Sequence, residues 1–416
     1  MSNSLIKNRK FNLNKIVVLF LELDLPKLII INLIILFFGA TVGFAIVLPM
    51  LEFSDLHNHG HEFSLLADSF LEGKLYISKS DQLDCTMVGG KCYWPLGPFP
   101  ALILLPFVFI FNFFNLPFYQ GYLIFLIAII IFFLAYKLAQ KFYYSAVDSL
   151  WLAFAFCFAS VYLGIAFEFE PYYLAHAVSV LFLFLAFFEY FNQKRYFLIG
   201  LYFAFIFATR FSAGLGILFF ILLIFFAKDL SFKDKIKQFF FLGSPVFISG
   251  LLLLYYNFIR FGNPFDNGYV VALGGNIVLR SRYGLFNLYY FVSNFYYYFL
   301  KMPEVIFNKV PFIKASPSGL SFFIVSPIFI KIFWANFKNK LVIFSWLSSL
   351  VVLFLILTYY HSGGWQFGPR YILDLLPFWF LLLLMSFNDH LLKIRHQLII
   401  GFSALVNFFL FSSLYF

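Results

Sequence analysis

Long apolar runs recur along this chain, separated by short polar connectors. Runs of membrane-spanning length fall at 28–51, 118–138, 150–167, 172–191, 196–210, 211–227, 238–258, 318–334, 341–358, 371–387 and 397–415. A helix of about 17–25 apolar residues crosses roughly 30 Å of hydrocarbon, and lipid offers backbone amides no partners, so such spans must be helical. The pattern predicts an all-α polytopic membrane protein with eleven transmembrane helices. A further apolar run, Phe99 to Phe114, is shorter and bracketed by Pro95, Pro98, Pro100 and Pro117. Counted as a span, it would put the basic clusters Lys137 and Lys141, Lys194 and Arg195, Lys228 through Lys237, Lys331 through Lys340, and Lys393 and Arg395 outside. Read as a re-entrant or juxtamembrane helix, it puts all of them in the cytoplasm, and the positive-inside rule selects that choice.

The N-terminus is then cytoplasmic. Its basic residues Lys7, Arg9, Lys10 and Lys15 precede a run too long for a signal-peptide core and lacking a small-residue cleavage site, so the first span reads as a retained anchor. Two long loops, 52–117 and 259–317, face outward, and functional groups collect on that side. In the first loop the spacing Phe63, Leu66, Ala67, Phe70, Leu71 predicts an amphipathic helix closed by Gly73 and anchored against the membrane. In the second, the Tyr- and Asn-rich stretch from Leu285 to Leu300 suits helices lying at the interface.

Composition supports this picture: 63% of the 416 residues are hydrophobic and 12% charged, with a mean hydropathy of +0.91. A soluble core has nowhere to put that much apolar surface. No soluble domain, fixed-period repeat or linker is evident, so residues 1–416 read as one transmembrane domain in the cell membrane. The 68 Phe read as lipid-facing or packing residues. Cys85 and Cys92 flank Gly89 and Gly90 in the first loop and are either a disulfide-closed turn in an oxidising compartment or two free thiols. Cys157, inside an apolar run, reads as a small buried residue.

Against this background the first loop stands out, because it holds seven of the nineteen acidic residues and three of the seven histidines. Asp55, His59, His61 and Glu62 are candidate general bases for an acceptor hydroxyl, or metal ligands, although His-x-His spacing alone is not a zinc signature and a solvated loop is the plainer reading. No cofactor or metal is assigned. Glu168 and Glu170, beside Pro171, Tyr172 and Tyr173, either share acid–base work, bind a cation or form a solvated turn. His176, one turn further on, reads as an interhelical histidine or a site-lining one. Arg210 interrupts an apolar hairpin and wants an anionic partner, a phosphate or the lipid headgroups. The segment Tyr359 to Pro377 combines Gly363, Gly364 and Gly368 with Trp365, Gln366, Arg370 and Tyr371, a mixture suited to a sugar or phosphate. Alternatively, Asp374 satisfies Arg370 as an i,i+4 pair.

Five segments carry a resemblance in their order and spacing: "ADSFLEGKLYI" (Ala67 to Ile77) followed by "YWPLGPFPALILLPF" (Tyr93 to Phe107), "ATRFSAG" (Ala208 to Gly214), "YYNFIRFGNPFDNGY" (Tyr255 to Tyr269) and "GGWQFGPRYILDLLP" (Gly363 to Pro377). Between about 28 and 390 the chain resembles the polytopic glycosyltransferases of the GT-C superfamily, most of all bacterial and archaeal relatives of the protein mannosyltransferase and aminoarabinose transferase group. The resemblance implies transfer of a sugar from a polyprenyl phosphate to a glycan, lipid or protein acceptor at the outer face, with no nucleic-acid partner. It implies a first-loop carboxylate as base and basic groups on the lipid phosphate. This chain has His59 and Gly60 where those carboxylates fall, leaving Asp55, His59 or Glu62 as substitutes. Arg210 and Arg370 match the family's arginines, with Arg282 as a further phosphate contact. The other classes to weigh are a transporter or flippase for a lipid-linked solute, which calls for facing broken helices at mid-depth and an internal repeat, and a non-catalytic scaffold on the same fold.

Overall fold

The computed structural model describes residues 24–52, 61–77, 85–269, 277–307 and 313–414. In chain order the main helices are α1 (Leu25–Met50), α2 (Glu62–Leu71), α3 (Phe99–Phe113), α4 (Gln120–Lys141), α5 (Ala146–Cys157), α6 (Tyr162–Phe167), α7 (Pro171–Asn192), α8 (Tyr196–Phe207), α9 (Phe211–Phe225), α10 (Phe232–Phe261), α11 (Ile277–Tyr283), α12 (Lys340–Leu357), α13 (Leu376–Leu384) and α14 (Ile394–Ser412). About 70% of the molecule is helical, and six helices, α1, α4, α7, α10, α12 and α14, are long and apolar enough to cross a membrane. The chain is an all-α membrane protein. Each of the six overlaps a run expected to span.

The other five expected runs are shorter or interrupted. Run 150–167 divides into α5 and α6, while 196–210 and 211–227 contract to α8 and α9. Run 318–334 becomes a single turn, Phe322–Val325, and a 3-10 helix, Pro327–Trp334. Run 371–387 opens as a 3-10 turn, Arg370–Asp374, before α13. These breaks lie in buried apolar surroundings, so their freed backbone groups need internal partners. Serines and an asparagine supply them. Ser160 Oγ accepts from Tyr162 N at 3.0 Å, Ser326 Oγ accepts from Val161 N at 3.0 Å, and Asn407 Nδ2 donates to the Val325 carbonyl at 2.6 Å. Cys157, at the first of these breaks, is a free and buried thiol as expected.

The first loop folds back on the bundle. The predicted helix forms as α2, with Gly73 beyond it at φ 72°, but it is buried on both faces, including Glu62 and Ser64. It packs on α3 and against Trp94 instead of lying against the membrane; Asn112 of α3 donates to Asp68 of α2 at 2.7 Å. Downstream, β1 (Thr86–Val88) and β2 (Lys91–Tyr93) pair antiparallel, with Gly89 and Gly90 both at positive φ as the two-residue turn requires. A disulfide joins Cys85 to Cys92, settling the alternative left open by their spacing. Thr86 Oγ1 ties the hairpin to the carbonyl of Gly268 at 2.8 Å, so the two long loops meet.

The stretch from Leu285 to Leu300 is helical in short pieces and is fastened to the end of α12. Asn294 Nδ2 donates to the carbonyls of Leu357 and Tyr359 at 2.9 and 2.7 Å, and Asn287 N to that of Thr358 at 2.8 Å. Basic residues gather at the opposite helix ends. Lys141, closing α4, reaches Asn192 at the end of α7, and Lys340, opening α12, reaches the Phe226 carbonyl after α9.

Candidate functional site

A cavity of about 1070 Å³ opens where helices of alternating direction end together. It is lined by the C-terminal ends of α8, α10 and α12, the N-terminal ends of α7 and α9, and Leu48 of α1. Four distant segments meet there: Pro95 to Pro98, Thr209 to Ser212, the stretch from Tyr256 to Tyr269, and the stretch from Gly364 to Tyr371. Glu168 and Glu170, in the turn between α6 and α7, complete the wall.

Close backbone contacts hold these segments in register. Phe99 N donates to the Ala208 carbonyl at 3.1 Å, and a Cβ added to Gly97 would lie 2.1 Å from that same oxygen. Only glycine permits the approach, because the obstacle is backbone and cannot rotate away. A Gly97→Ala variant is therefore expected to lose about 1–3 kcal/mol of stability through overpacking. Its melting temperature in detergent checks this, and an unchanged value would show that the contact relaxes without cost.

Asp374 is fully buried and is the hub of the charged groups behind the cavity wall. Arg210 engages it bidentately, Nε to Oδ1 at 2.9 Å and Nη2 to Oδ2 at 3.1 Å. His176 Nδ1 lies 3.1 Å from Oδ1, and Ser212 Oγ donates to Oδ2. Three open readings from sequence are decided here. Asp374 is the partner of Arg210, 164 residues away, and not of Arg370. Arg210 lines the cavity but spends its fork on Asp374. His176 lies behind the wall as an interhelical group, with Nε2 lacking a hydrogen-bond partner among the described residues.

Arg370 is left differently. It makes no salt bridge among the described residues and is packed among tyrosine rings, its guanidinium carbon 5.2 Å from the Tyr172 centroid, 5.3 Å from Tyr173 and 5.6 Å from Tyr371. Aromatic faces attract a cation without neutralising it. Its field reaches Glu168 and His361. Burial, then the neighbouring Glu170, push the Glu168 carboxyl well above the usual carboxylate range, with Arg370 opposing. Burial, helped by Arg370, lowers His361 to about 4.

Trp365 lines the cavity from a left-handed backbone position, φ 44°, and its carbonyl accepts from the Tyr173 hydroxyl. Gln366, expected to touch substrate, is instead buried beneath the loop. Its amide donates to the Ser318 and Ser362 carbonyls at 3.1 and 3.0 Å and accepts from Arg370 N at 3.2 Å, so it holds the turn carrying Arg370. Tyr371 lines the cavity between the two arginines, with Arg210 5.5 Å from its ring. Arg282 is exposed and off the cavity, over the ring of Tyr283. Glu62 is buried at the start of α2 and is not among the lining residues. Asp55 and His59 lie outside the described residues.

One lining cation, Arg260, was assigned no role from sequence. It is buried near the end of α10, donates to the Trp94 carbonyl at 2.9 Å and Asn257 Oδ1 at 2.8 Å, and stacks 3.9 Å from the Tyr256 ring centroid. The signal was a charged residue inside the apolar run "NFIRF", costly at such a position unless it is used. No group of three or more His, Cys, Asp or Glu suited to a metal ion occurs among the described residues.

Beside the cavity, His61 is buried against Tyr119 and Phe169, and burial lowers its pKa from 6.5 to about 4. Because the folded value is depressed, the stability it brings is complete above the ordinary 6.5 and is lost as pH falls toward about 4. At about 1.4 kcal/mol per pH unit this amounts to about 3 kcal/mol at most. The solubilised protein should lose thermal stability through that window, and His61→Gln should lose less; equal losses in both would assign the acid sensitivity elsewhere. No family model, no curated protein and no solved structure matches the chain.

Proposed function

We propose that this chain is a membrane glycosyltransferase that moves a sugar from a polyprenyl-phosphate carrier to an acceptor hydroxyl. One observation carries the reading: four of the five segments whose motifs resemble those of the GT-C enzymes, those at Tyr93, Ala208, Tyr255 and Gly363, line one cavity together although they are spread over most of the sequence, while the segment Ala67 to Ile77 lies off it. The lining suits such a donor. Tyr172, Tyr256, Tyr359, Tyr360, Tyr371 and Trp365 offer faces on which a sugar stacks, and Arg370 and Arg260 supply positive charge for a phosphate.

In this scheme the acceptor hydroxyl attacks the anomeric carbon in line with departure of polyprenyl phosphate, and a single displacement inverts the anomeric centre. Arg370, with Arg260, stabilises the charge developing on the leaving phosphate. Glu168 takes the hydroxyl proton, and its raised pKa makes it a stronger base once ionised. Asp55 and His59 remain candidates for orienting the acceptor. The scheme places the cavity at the outer face of the cell membrane, with eleven spans and a cytoplasmic N-terminus. The grouping of Lys141, Lys194, Arg195, Lys235 and Lys340 at helix ends away from the cavity supports that orientation.

The test is to incubate purified protein with a panel of labelled polyprenyl-phosphate sugars and candidate acceptors. Consumption of one donor with release of polyprenyl phosphate is expected. Movement of a lipid-linked solute across vesicle membranes with every donor left intact would replace this reading by a flippase; neither activity would leave a scaffold.

A further inference from the structure

Arg210 and Arg370 both reach the cavity, and both read from sequence as anion ligands. The geometry points to a division of labour: we infer that Arg210 is a positioning residue whose task is to occupy Asp374, leaving Arg370 as the cation that takes an anionic headgroup. This rests on the reading of the cavity as a phosphate site.

Asp374 follows Arg370 by four residues and closes the same 3-10 turn; the pair would align on an α-helix, and in the tighter 3-10 turn, where i and i+3 align instead, the two side chains meet only if one of them swings across. No ion pair joins the two. Both carboxylate oxygens are taken from outside the turn: Oδ1 by Arg210 Nε at 2.9 Å and His176 Nδ1 at 3.1 Å, Oδ2 by Arg210 Nη2 at 3.1 Å and the Ser212 hydroxyl. Those partners come from α7 and from the start of α9, so two other elements must pack correctly before the carboxylate is occupied. The arrangement is charge-economical, because Arg210 and Asp374 cancel while Arg370 keeps its charge among three tyrosine rings. Removing Arg210 leaves a buried carboxylate seeking a cation, and Arg370 is the next one along its own turn. The anion site is then lost without any direct contact to the ligand having been removed.

The probe is dodecyl phosphate, an alkyl phosphate monoester, with its binding to full-length protein in detergent measured by thermophoresis. Wild type is expected to bind and Arg370→Gln to weaken binding about tenfold or more, the worth of a charged hydrogen bond. Arg210→Gln should weaken it comparably, and the charge-neutral pair Arg210→Gln with Asp374→Asn should return it close to wild type. If the paired variant binds as poorly as Arg210→Gln alone, Arg210 touches the ligand itself and the inference is overturned while the phosphate site stands. If wild type does not bind, or Arg370→Gln binds normally, the phosphate site falls and the inference with it. A second pair, Arg210→Met with Asp374→Leu, replaces the ion pair by apolar groups, an exchange that is often neutral or stabilising. It answers the same question where the first pair folds poorly, and a folded second pair without affinity counts against the inference.

Discussion

Under the proposed reaction, Arg370→Gln is expected to lower sugar transfer about 10²–10³-fold, the usual cost of removing a preorganised charge stabiliser, with little loss of stability. The two effects separate because the side chain and the backbone of this residue have different partners. Its amide N–H is what Gln366 accepts, and that bond fixes the turn whatever side chain follows. The guanidinium itself meets tyrosine rings and the cavity and makes no salt bridge among the described residues, so a neutral amide of smaller volume forfeits charge and stacking, and the buried Glu168 carboxyl, which Arg370 opposes only through its field, is pushed further toward its neutral form. Initial rates with the donor found by the panel, alongside a melting curve, check both halves. A rate close to wild type would remove Arg370 from the reaction, and a large fall in melting temperature would make its role structural.

Asp374→Ala is expected to have the opposite signature, a loss of stability of about 3–5 kcal/mol, because breaking a buried ion pair strands the surviving charge. Arg210 would be the stranded group. The Ser212 hydroxyl and His176 Nδ1 lose their acceptor at the same time, so the damage spreads over three elements. Thermal unfolding in detergent measures it. A melting temperature near wild type would show that water or lipid phosphate enters to neutralise Arg210.

Much of the fold was legible because the solvent dictates it. Six long apolar runs became six long helices, and periodicity alone located α2. The interruptions were not legible. Phe158 to Val161 is as apolar as the helices around it, and the chain breaks there because Ser160 and Ser326 satisfy the released amides, one of them from 165 residues away. Burial of α2 was hidden for a similar reason, since the packing of α3, read as a re-entrant or juxtamembrane helix, onto α2 has no signature in either helix's own periodicity. In the candidate site, residue type and order identified the segments that meet. Pairing was misjudged wherever a local partner competed with a distant one: Asp374 beside Arg370 in sequence answers to Arg210 in space. Gln366 looked like a ligand contact because an amide next to tryptophan and glycines suits a sugar, yet the same amide is needed to close the loop on itself.

The wall that α10 gives the cavity is a single helix thick. Leu253, Tyr256, Asn257 and Arg260, spaced by three and four residues, face inward, while Phe247, Ile248, Leu251, Leu252, Tyr255, Phe258 and Ile259 are all more than half exposed on the other side. For the proposed lipid-linked donor, α10 would be the only partition between a headgroup in the cavity on this side and a hydrocarbon chain lying along its outer face. Drawing ten methylenes into water would cost about 8 kcal/mol, at about 0.8 kcal/mol each. A donor whose chain stayed on the lipid side of α10 would avoid that penalty, so under the proposed function carriers differing only in tail length should compete on nearly equal terms.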